Sequence, residues 1–534
     1  MRRRLLVILR GIAMVAIVAS LATLSSPASK LTKRAYPPVP SAWTGYNSRL
    51  AQYYVAPGYP AYEAHPRYLG ELSGSWHEIG RQYGERAGDL IRITFDGWYK
   101  EVLEVQGNNQ AIIDYLHQEE AYYAALVPEA LELIQGIADG AKEDLDSSTY
   151  AKTMTNYEKV LMINSYFGLQ AEPPSEKSAS TGASSEDGVA PACSGAVILG
   201  AATKDGKTIH VSSEDQHFFP QEYLVTFVAN PSDKKAHRFT VTDTAGEIGS
   251  EHALNDAGVA VSGYAGGALN IMNPTLSAPF SGYRRAGLDW QVGDFYAAAF
   301  AATAKQAVEL LTLGRPEYRE KSGHKIVIGK CWKGANWVVS DKNQAYVVES
   351  IPADQDGVAR YAVRKPGDLG EIAASYIVST NNVEANYSCD ENNACSKSHP
   401  MSQHGHYAQE PTPYFGLSNP GMRFWTLMWL IHNNYGQITP DMVKVWRTAH
   451  FVFDTGGTRY DSLKVDGRDV SPHLVPQVAT LCWHTNGPAG VDTFKGVDTY
   501  VSLSTPDNLT VYRTKGRPCE WVGPWDAINL SHVP

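Results

Sequence analysis

Basic residues are the scarcer charge in this chain of 534 residues. Lys and Arg number 46 against 56 Asp and Glu, a net charge of −10. The first 28 residues hold Arg2, Arg3, Arg4 and Arg10 and no acid, so the remainder is more acidic still. No basic block follows. Nothing in the chain would release counterions from a phosphate backbone, and nucleic acid is excluded as a partner class. Long apolar runs are missing as well. The longest, residues 11–24 (GIAMVAIVASLATL), falls short of the ~20 residues that cross a bilayer, and Arg10 blocks its extension. No stable membrane span is expected. A G-x-S-x-G nucleophile elbow is also absent. What the chain does have is apolar material: 43% hydrophobic and 10% aromatic residues, enough for a sizeable core and too much for a disordered protein.

The N-terminus combines a basic flank, a short apolar centre and small residues at Ser26-Pro27-Ala28, the pattern of a cleaved secretory signal over 1–28. Three sequons avoid proline, at Asn386, Asn508 and Asn529. With the signal they indicate a glycoprotein of the secreted space or of a lysosomal or vacuolar lumen. Disulfides persist there. Of the six cysteines, Cys389 and Cys395 would close a tight polar loop, and Cys482 and Cys519 could staple the C-terminal region. Cys193 and Cys331 remain. An even count pairs them; a chemical role leaves Cys193 free.

Residues 29–66 are rich in Pro and Tyr without periodicity and read as a pro-segment or extended arm. Residues 67–171 form a helical N-terminal chain. Apolar positions recur at three and four from Gly74 onwards, a second helix begins near Pro128, and a third runs through YEKVLMINSYFG. A small-polar run over 172–192 cannot pack and serves as a processing linker. The texture then changes. Strands are expected at 193–199, 208–212, 223–229, 258–262, 335–339, 345–349 and 374–380, with helices at 292–314 and 421–433. The class is α+β, with a catalytic domain over 193–534.

A flexible tether that ends on a cysteine opening a buried strand makes chemical sense if the Ala192–Cys193 bond is cut. Cys193 then carries a free α-amine beside its own thiol. Such an amine titrates near ~7.7–8.0, so it can take the thiol proton near neutrality. Nucleophile and base then come from one residue.

The motifs agree with this. Gly74-Ser-Trp-His-Glu-Ile-Gly80 with Gln82-Tyr-Gly84, the helix Pro128-Glu-Ala-Leu-Glu-Leu-Ile-Gln-Gly-Ile-Ala-Asp-Gly140, the Cys193-Ser-Gly strand with its hairpin to His210, and His252-Ala-Leu-Asn through Gly263 occur in this order. Together they resemble the autoprocessing N-terminal-nucleophile (Ntn) amidohydrolases grouped with penicillin (isopenicillin N) acyltransferase, from about residue 70 onwards. The resemblance implies a four-layer αββα sandwich and a set of roles. Cys193 matches the nucleophile, and Ala192–Cys193 the cleaved bond. Asp215 matches the carboxylate near the new α-amine, Asn381 the amide that steadies the oxyanion, and Arg423 the arginine that organises the pocket. No cofactor is implied. The partners would be a small-molecule or peptide amide substrate and the chain's own cleaved N-terminal piece. Ser213-Glu214 stands where the family usually has Asn-Trp, a Glu-Asp pair closer to the cysteine dipeptidases of the same superfamily. Ala192 stands where glycine is usual, and Asn382 where histidine is frequent.

The expected activity is therefore hydrolysis of linear amide bonds, with acyl transfer as a side capacity. Rivals are a dipeptidase or phospholipase-B-like lipid hydrolase with the same nucleophile, and a non-catalytic glycoprotein with Cys193 in a disulfide. Weaker substrate-binding candidates are Tyr264, which fills core equally well, and Arg284 with Arg285, a pair that more often forms a solvated face. His399, His404 and His406 lack metal-ligand spacing, and no metal is expected.

Overall fold

The computed structural model describes residues 66–169, 192–217, 223–265, 287–316, 335–351, 360–369, 371–381, 419–465, 467–472, 475, 478, 480–482, 497–514, 518 and 525–532. The signal segment, most of the arm and most of the tether lie outside this set, as do Arg284, Arg285, Cys331, Asn386, Cys389, Cys395 and Cys519.

Ser75-Trp-His-Glu78 makes a capping box. The Ser75 hydroxyl accepts from the Glu78 amide at 3.2 Å, and the Glu78 carboxylate accepts from the Ser75 amide at 2.7 Å. It starts α1 (Trp76–Gln106), which Gly107 ends in the left-handed conformation. Then follow α2 (Asn109–Leu126), α3 (Pro128–Gly140), α4 (Lys142–Ser147), α5 (Asn156–Ile163) and α6 (Tyr166–Leu169). The glycines of the two helical motifs have a shared cause. A Cβ on Gly80 would stand 2.2 Å from the Leu133 carbonyl, and one on Gly84 2.3 Å from that of Ile137. Gly136 and Gly140 meet the His77 and Arg81 carbonyls at 2.1 Å in the same way. Helices α1 and α3 cross backbone to backbone there, and any side chain would hold them apart.

The N-terminal piece is not wholly helical. It begins with β1 (Arg67–Gly74), which pairs in parallel with β4 (Leu224–Pro231), itself antiparallel to β5 (Phe239–Thr244). The local signal for β1 is weak, since Gly70 at φ +80° sits at a register shift between Tyr68 and Glu71. Its partner lies on the far side of the tether.

Two larger antiparallel sheets make the body. One has six strands in the order β11 (Tyr376–Thr380), β2 (Ala192–Ile198), β3 (Ile209–His217), β16 (Val497–Thr505), β17 (Thr510–Arg513) and β18 (Asp526–Asn529). The other has five: β10 (Arg360–Arg364), β9 (Ala345–Ile351), β8 (Ala335–Ser340), β7 (Ala260–Ala265) and β6 (Ala253–Leu254). Cys193, Val197 and Ile377 from the first pack against Tyr264, Val338 and Val347 from the second. The single helix expected over 292–314 is two, α7 (Trp290–Phe300) and α8 (Ala304–Leu313), because the chain turns extended at Ala301 and Thr303 caps the second with its hydroxyl. These pack on the five-stranded sheet, and α9 (Asn419–Asn433) packs on β2 and β11. The short helix α10 (Pro440–Trp446) follows.

One apolar core joins Trp76, Trp98 and Ile134 of the N-terminal piece to Phe227, Phe295 and Trp337 of the part after the tether. Two sequons are described. Asn508 is exposed in a short turn. The Asn529 amide nitrogen donates to the Asn508 carbonyl at 3.1 Å and to the Thr510 hydroxyl at 2.9 Å, so the atom that would carry a glycan is engaged.

Candidate active site

Cys193 is the second residue of β2, held between β3 and β11. It is 1% exposed, and its thiol is free. Its neighbours sort by strand alternation. Cys193 shares a face with Val197 toward the second sheet, whereas Ser194 points to the other side, where Arg447 lies.

The four residues singled out as catalytic converge. The Cys193 backbone nitrogen donates to Asn381 Oδ1 at 2.6 Å. Arg423, on α9, donates from Nη1 to the Cys193 carbonyl and from Nη2 to Asn381 Oδ1 at 2.9 Å. Its Nη1 stands 3.6 Å from Asp215 Oδ2, and the Asp215 Oδ1 atom accepts from the Thr499 hydroxyl. Two donors on Oδ1 assign the orientation of the Asn381 amide, whose other end is an NH2 donor. Arg423 is completely buried, and burial lowers its pKa against the opposing pull of Asp215.

The strand register separates two neighbouring acids. Cys193 pairs with Glu214, while Asp215 pairs with Ala192. Directly opposed residues share a face, so the carboxyl beside the thiol is that of Glu214, and Asp215 lies with Arg423. Glu214 Oε2 accepts from the Tyr500 hydroxyl, and Oε1 has no hydrogen-bond partner among the described residues. Around it are further fully buried acids: Asp243 on β5, Glu247 and Glu251 in the following loop, and Asp294 on α7. Burial first, and mutual repulsion second, pushes the Glu247, Glu251 and Asp294 carboxyls well above the ordinary range. Burial raises Asp243 to about 7. Burial also lifts Glu214, with Glu251 and Tyr500 pulling the other way. The Cys193 thiol is pushed up by burial, then by Glu214 and Asp215, with Arg423 and Asn381 pulling the other way. In the uncut chain this sulfur holds its proton and needs a base to lose it.

Sequence reasoning missed Arg447. Its Nη1 donates to the hydroxyls of Ser194 at 2.8 Å and Ser213 at 2.9 Å, and its Nη2 donates to the Ser194 carbonyl at 3.0 Å. Burial lowers its pKa to about 10. It clamps the nucleophile strand to β3 from the side opposite the thiol. No motif marks it; the 194–213 pairing alone creates its site. Tyr264 is fully buried, with its hydroxyl over Gly195, where a Cβ would stand 1.8 Å away. It faces the thiol's side of the strand. A second buried polar chain, Ser340–His210–Ser262–His252–Ser504, bridges the two sheets. Burial drives the pKa of His210 well down and that of His252 to about 3, so both rings are neutral.

No family model matches this chain. A curated relative, an uncharacterised protein of Archaeoglobus fulgidus, is 27% identical over 215 residues, which is 38% of this chain and 34% of the relative. The chain thus spans about a third of the length of the curated relative it matches. Among solved structures, the chain is similar to a Caenorhabditis elegans ortholog of N-acylethanolamine-hydrolyzing acid amidase. That match has a TM-score of 0.23 and 13% identity, over 35% of this chain and 70% of that one. It is also similar to a mutant conjugated bile acid hydrolase from Clostridium perfringens, with a TM-score of 0.29 and 13% identity over 64% and 92%. A second variant of that hydrolase gives 0.28 and 12% over 64% and 93%. The chemistry of the site rests on its own residues.

Proposed function

We propose that this protein is a self-cutting amide hydrolase of the Ntn type, with Cys193 as nucleophile and the α-amine freed at Ala192–Cys193 as base. One observation carries the reading. The backbone nitrogen of Cys193, the atom that the cut would free, donates to Asn381 Oδ1, and Arg423 donates to the carbonyl of the same residue, so the new terminus has its polar partners before the cut happens. Once free, that nitrogen keeps Asn381 as an acceptor.

In the working enzyme the thiol gives its proton to the α-amine, and sulfur attacks the carbonyl carbon of an N-acyl substrate. The Asn381 NH2 donates to the oxyanion, a contact worth roughly 3 kcal/mol of barrier in comparable sites. The carbon–nitrogen bond breaks as the leaving nitrogen takes the proton back from the α-ammonium. Water then opens the thioester, releasing the acid and restoring the thiol. Transfer of the acyl group to an amine would follow the same path with another acceptor. The two large sheets and the helices on their outer faces form the αββα sandwich in this reading. The shared core keeps the N-terminal piece bound after the cut. The signal pattern and sequons support a secreted or lysosome-type compartment for such an enzyme.

N-terminal sequencing and intact mass of purified protein test the proposal. A chain beginning at Cys193 is expected, together with hydrolysis of N-acyl amides. Cys193→Ala should stay whole at that bond and be inactive. A whole wild-type chain, or a cut that persists in Cys193→Ala, refutes self-cutting. A panel of N-acyl amino acids, dipeptides and lysophospholipids separates amidase, dipeptidase and lipid hydrolase.

A further inference from the structure

Self-cutting poses a problem that the mature enzyme does not have. Before the cut the nitrogen of Cys193 is an amide, so it cannot accept the thiol proton, and burial keeps that proton in place. Another base is required. Asp215 is occupied, with Thr499 donating to one oxygen and Arg423 near the other, and the register sets it opposite Ala192 rather than Cys193. Glu214 stands opposite Cys193, on the thiol's face, 1% exposed. Tyr500 holds its Oε2 atom, and its Oε1 atom has no hydrogen-bond partner among the described residues. Glu251 lies against it, 2% exposed, and neither of its carboxyl oxygens has a hydrogen-bond partner among the described residues.

We propose that Glu214, steadied by Tyr500 and backed by Glu251, is the base for the self-cutting step. This rests on the self-cutting reading above. Two facing carboxyls in such a place hold one proton between them, which leaves one carboxylate to act. The Cys193 S–H proton passes to Glu214 and sulfur bonds to the Ala192 carbonyl carbon. The Ala192–Cys193 carbon–nitrogen bond then breaks, and the departing nitrogen takes the proton from Glu214 to become the free α-amine. Water hydrolyses the thioester, leaving the Ala192 carboxylate and the Cys193 thiol. Thereafter the new amine takes over the role of base. The groups facing Glu214 are Cys193 on β2, Asp215 on its own strand, Asp243 on β5, Glu247 and Glu251 in the next loop, Asp294 on α7 and Tyr500 on β16, with Arg423 beyond Cys193.

The test is a time course of cutting after cell-free synthesis of the full chain, read on gels between pH 4.5 and 8. The wild-type rate should rise with pH as the acid pair ionises, then level. Glu214→Gln should cut on the order of 10² to 10⁴ times more slowly and lose the rising limb, as expected for removal of a general base. Glu214→Asp should recover at least ~10-fold over Glu214→Gln, because it restores the carboxylate. Melting curves establish that the variants fold. Wild type that cuts while Glu214→Gln keeps its rate or its pH limb overturns this inference alone. Equal loss in folded Gln and Asp variants overturns it too, in favour of packing. Wild type that never cuts overturns the self-cutting reading itself.

Discussion

Raising the pH should destabilise this protein, the reverse of the usual behaviour of carboxylates. Asp243 is raised from 3.8 to about 7, and burial is the main cause. Between those values the folded chain holds a proton that the unfolded chain has released. Stability from this group is therefore full below the ordinary carboxylate range and is lost as pH climbs. The slope is about 1.4 kcal/mol per pH unit, and the loss accumulates to about 4 kcal/mol by neutrality. Glu247, Glu251, Asp294 and Glu214 are shifted in the same direction and extend the loss. His210 and His252 oppose it. Their lowered pKa values make the unfolded chain the better proton binder below about 6.5, so their contribution is lost as pH falls. Even with Glu214 and Glu251 sharing one proton, these acids outweigh two histidines from pH ~4.5 to ~6.5, and above that the histidines drop out. Maximum stability should lie on the acid side. For a chain this long, 4 kcal/mol corresponds to about 5 °C in Tm. Calorimetry on one preparation, all whole or all cut, at pH 5.0, 6.0, 7.0 and 7.5 should show Tm falling throughout. Asp243→Asn should flatten the slope. A Tm that is level or rises between pH 5 and 7.5 would refute the argument.

Other outcomes follow from particular contacts. Gly136→Ala places a Cβ against the His77 carbonyl, forces α1 from α3, and should cost about 1–3 kcal/mol in a melting curve. The same change at Gly107, where nothing lies within 4 Å, is strained only by its positive φ. Arg447→Met should remove the donors to Ser194 and Ser213, lower kcat more than it raises KM, and destabilise by about 1–3 kcal/mol; Arg447→Lys should rescue little, because one ammonium cannot span the fork. Asn508→Gln should shift gel mobility on expression in a glycosylating host, whereas Asn529→Gln should not, since the Asn529 amide nitrogen is already engaged.

Local patterning made several elements legible. Helical spacing marks α1, proline the start of α3, and strand-like apolar runs mark β2, β4, β8 and β9. The four motif residues Cys193, Asp215, Asn381 and Arg423 do come together, although 230 positions separate Cys193 from Arg423. Their chemistry is written in residue types and short contexts, which a sequence carries in full. Pairing is not. β1 is a strand because β4 accepts it in parallel more than 150 residues later, and no local signal competes with its two glycines. Glu214 shares the thiol's face while Asp215 lies with Arg423 because register allots faces, and a shift of one residue would reverse them. Arg447, Tyr500 and Glu251 sit in ordinary contexts and acquire meaning only where the sheets close over them. The sequence alone determined which groups are available to react. The tertiary structure decided which of them face one another, because burial and distance set the proton affinities and neither can be read along a chain.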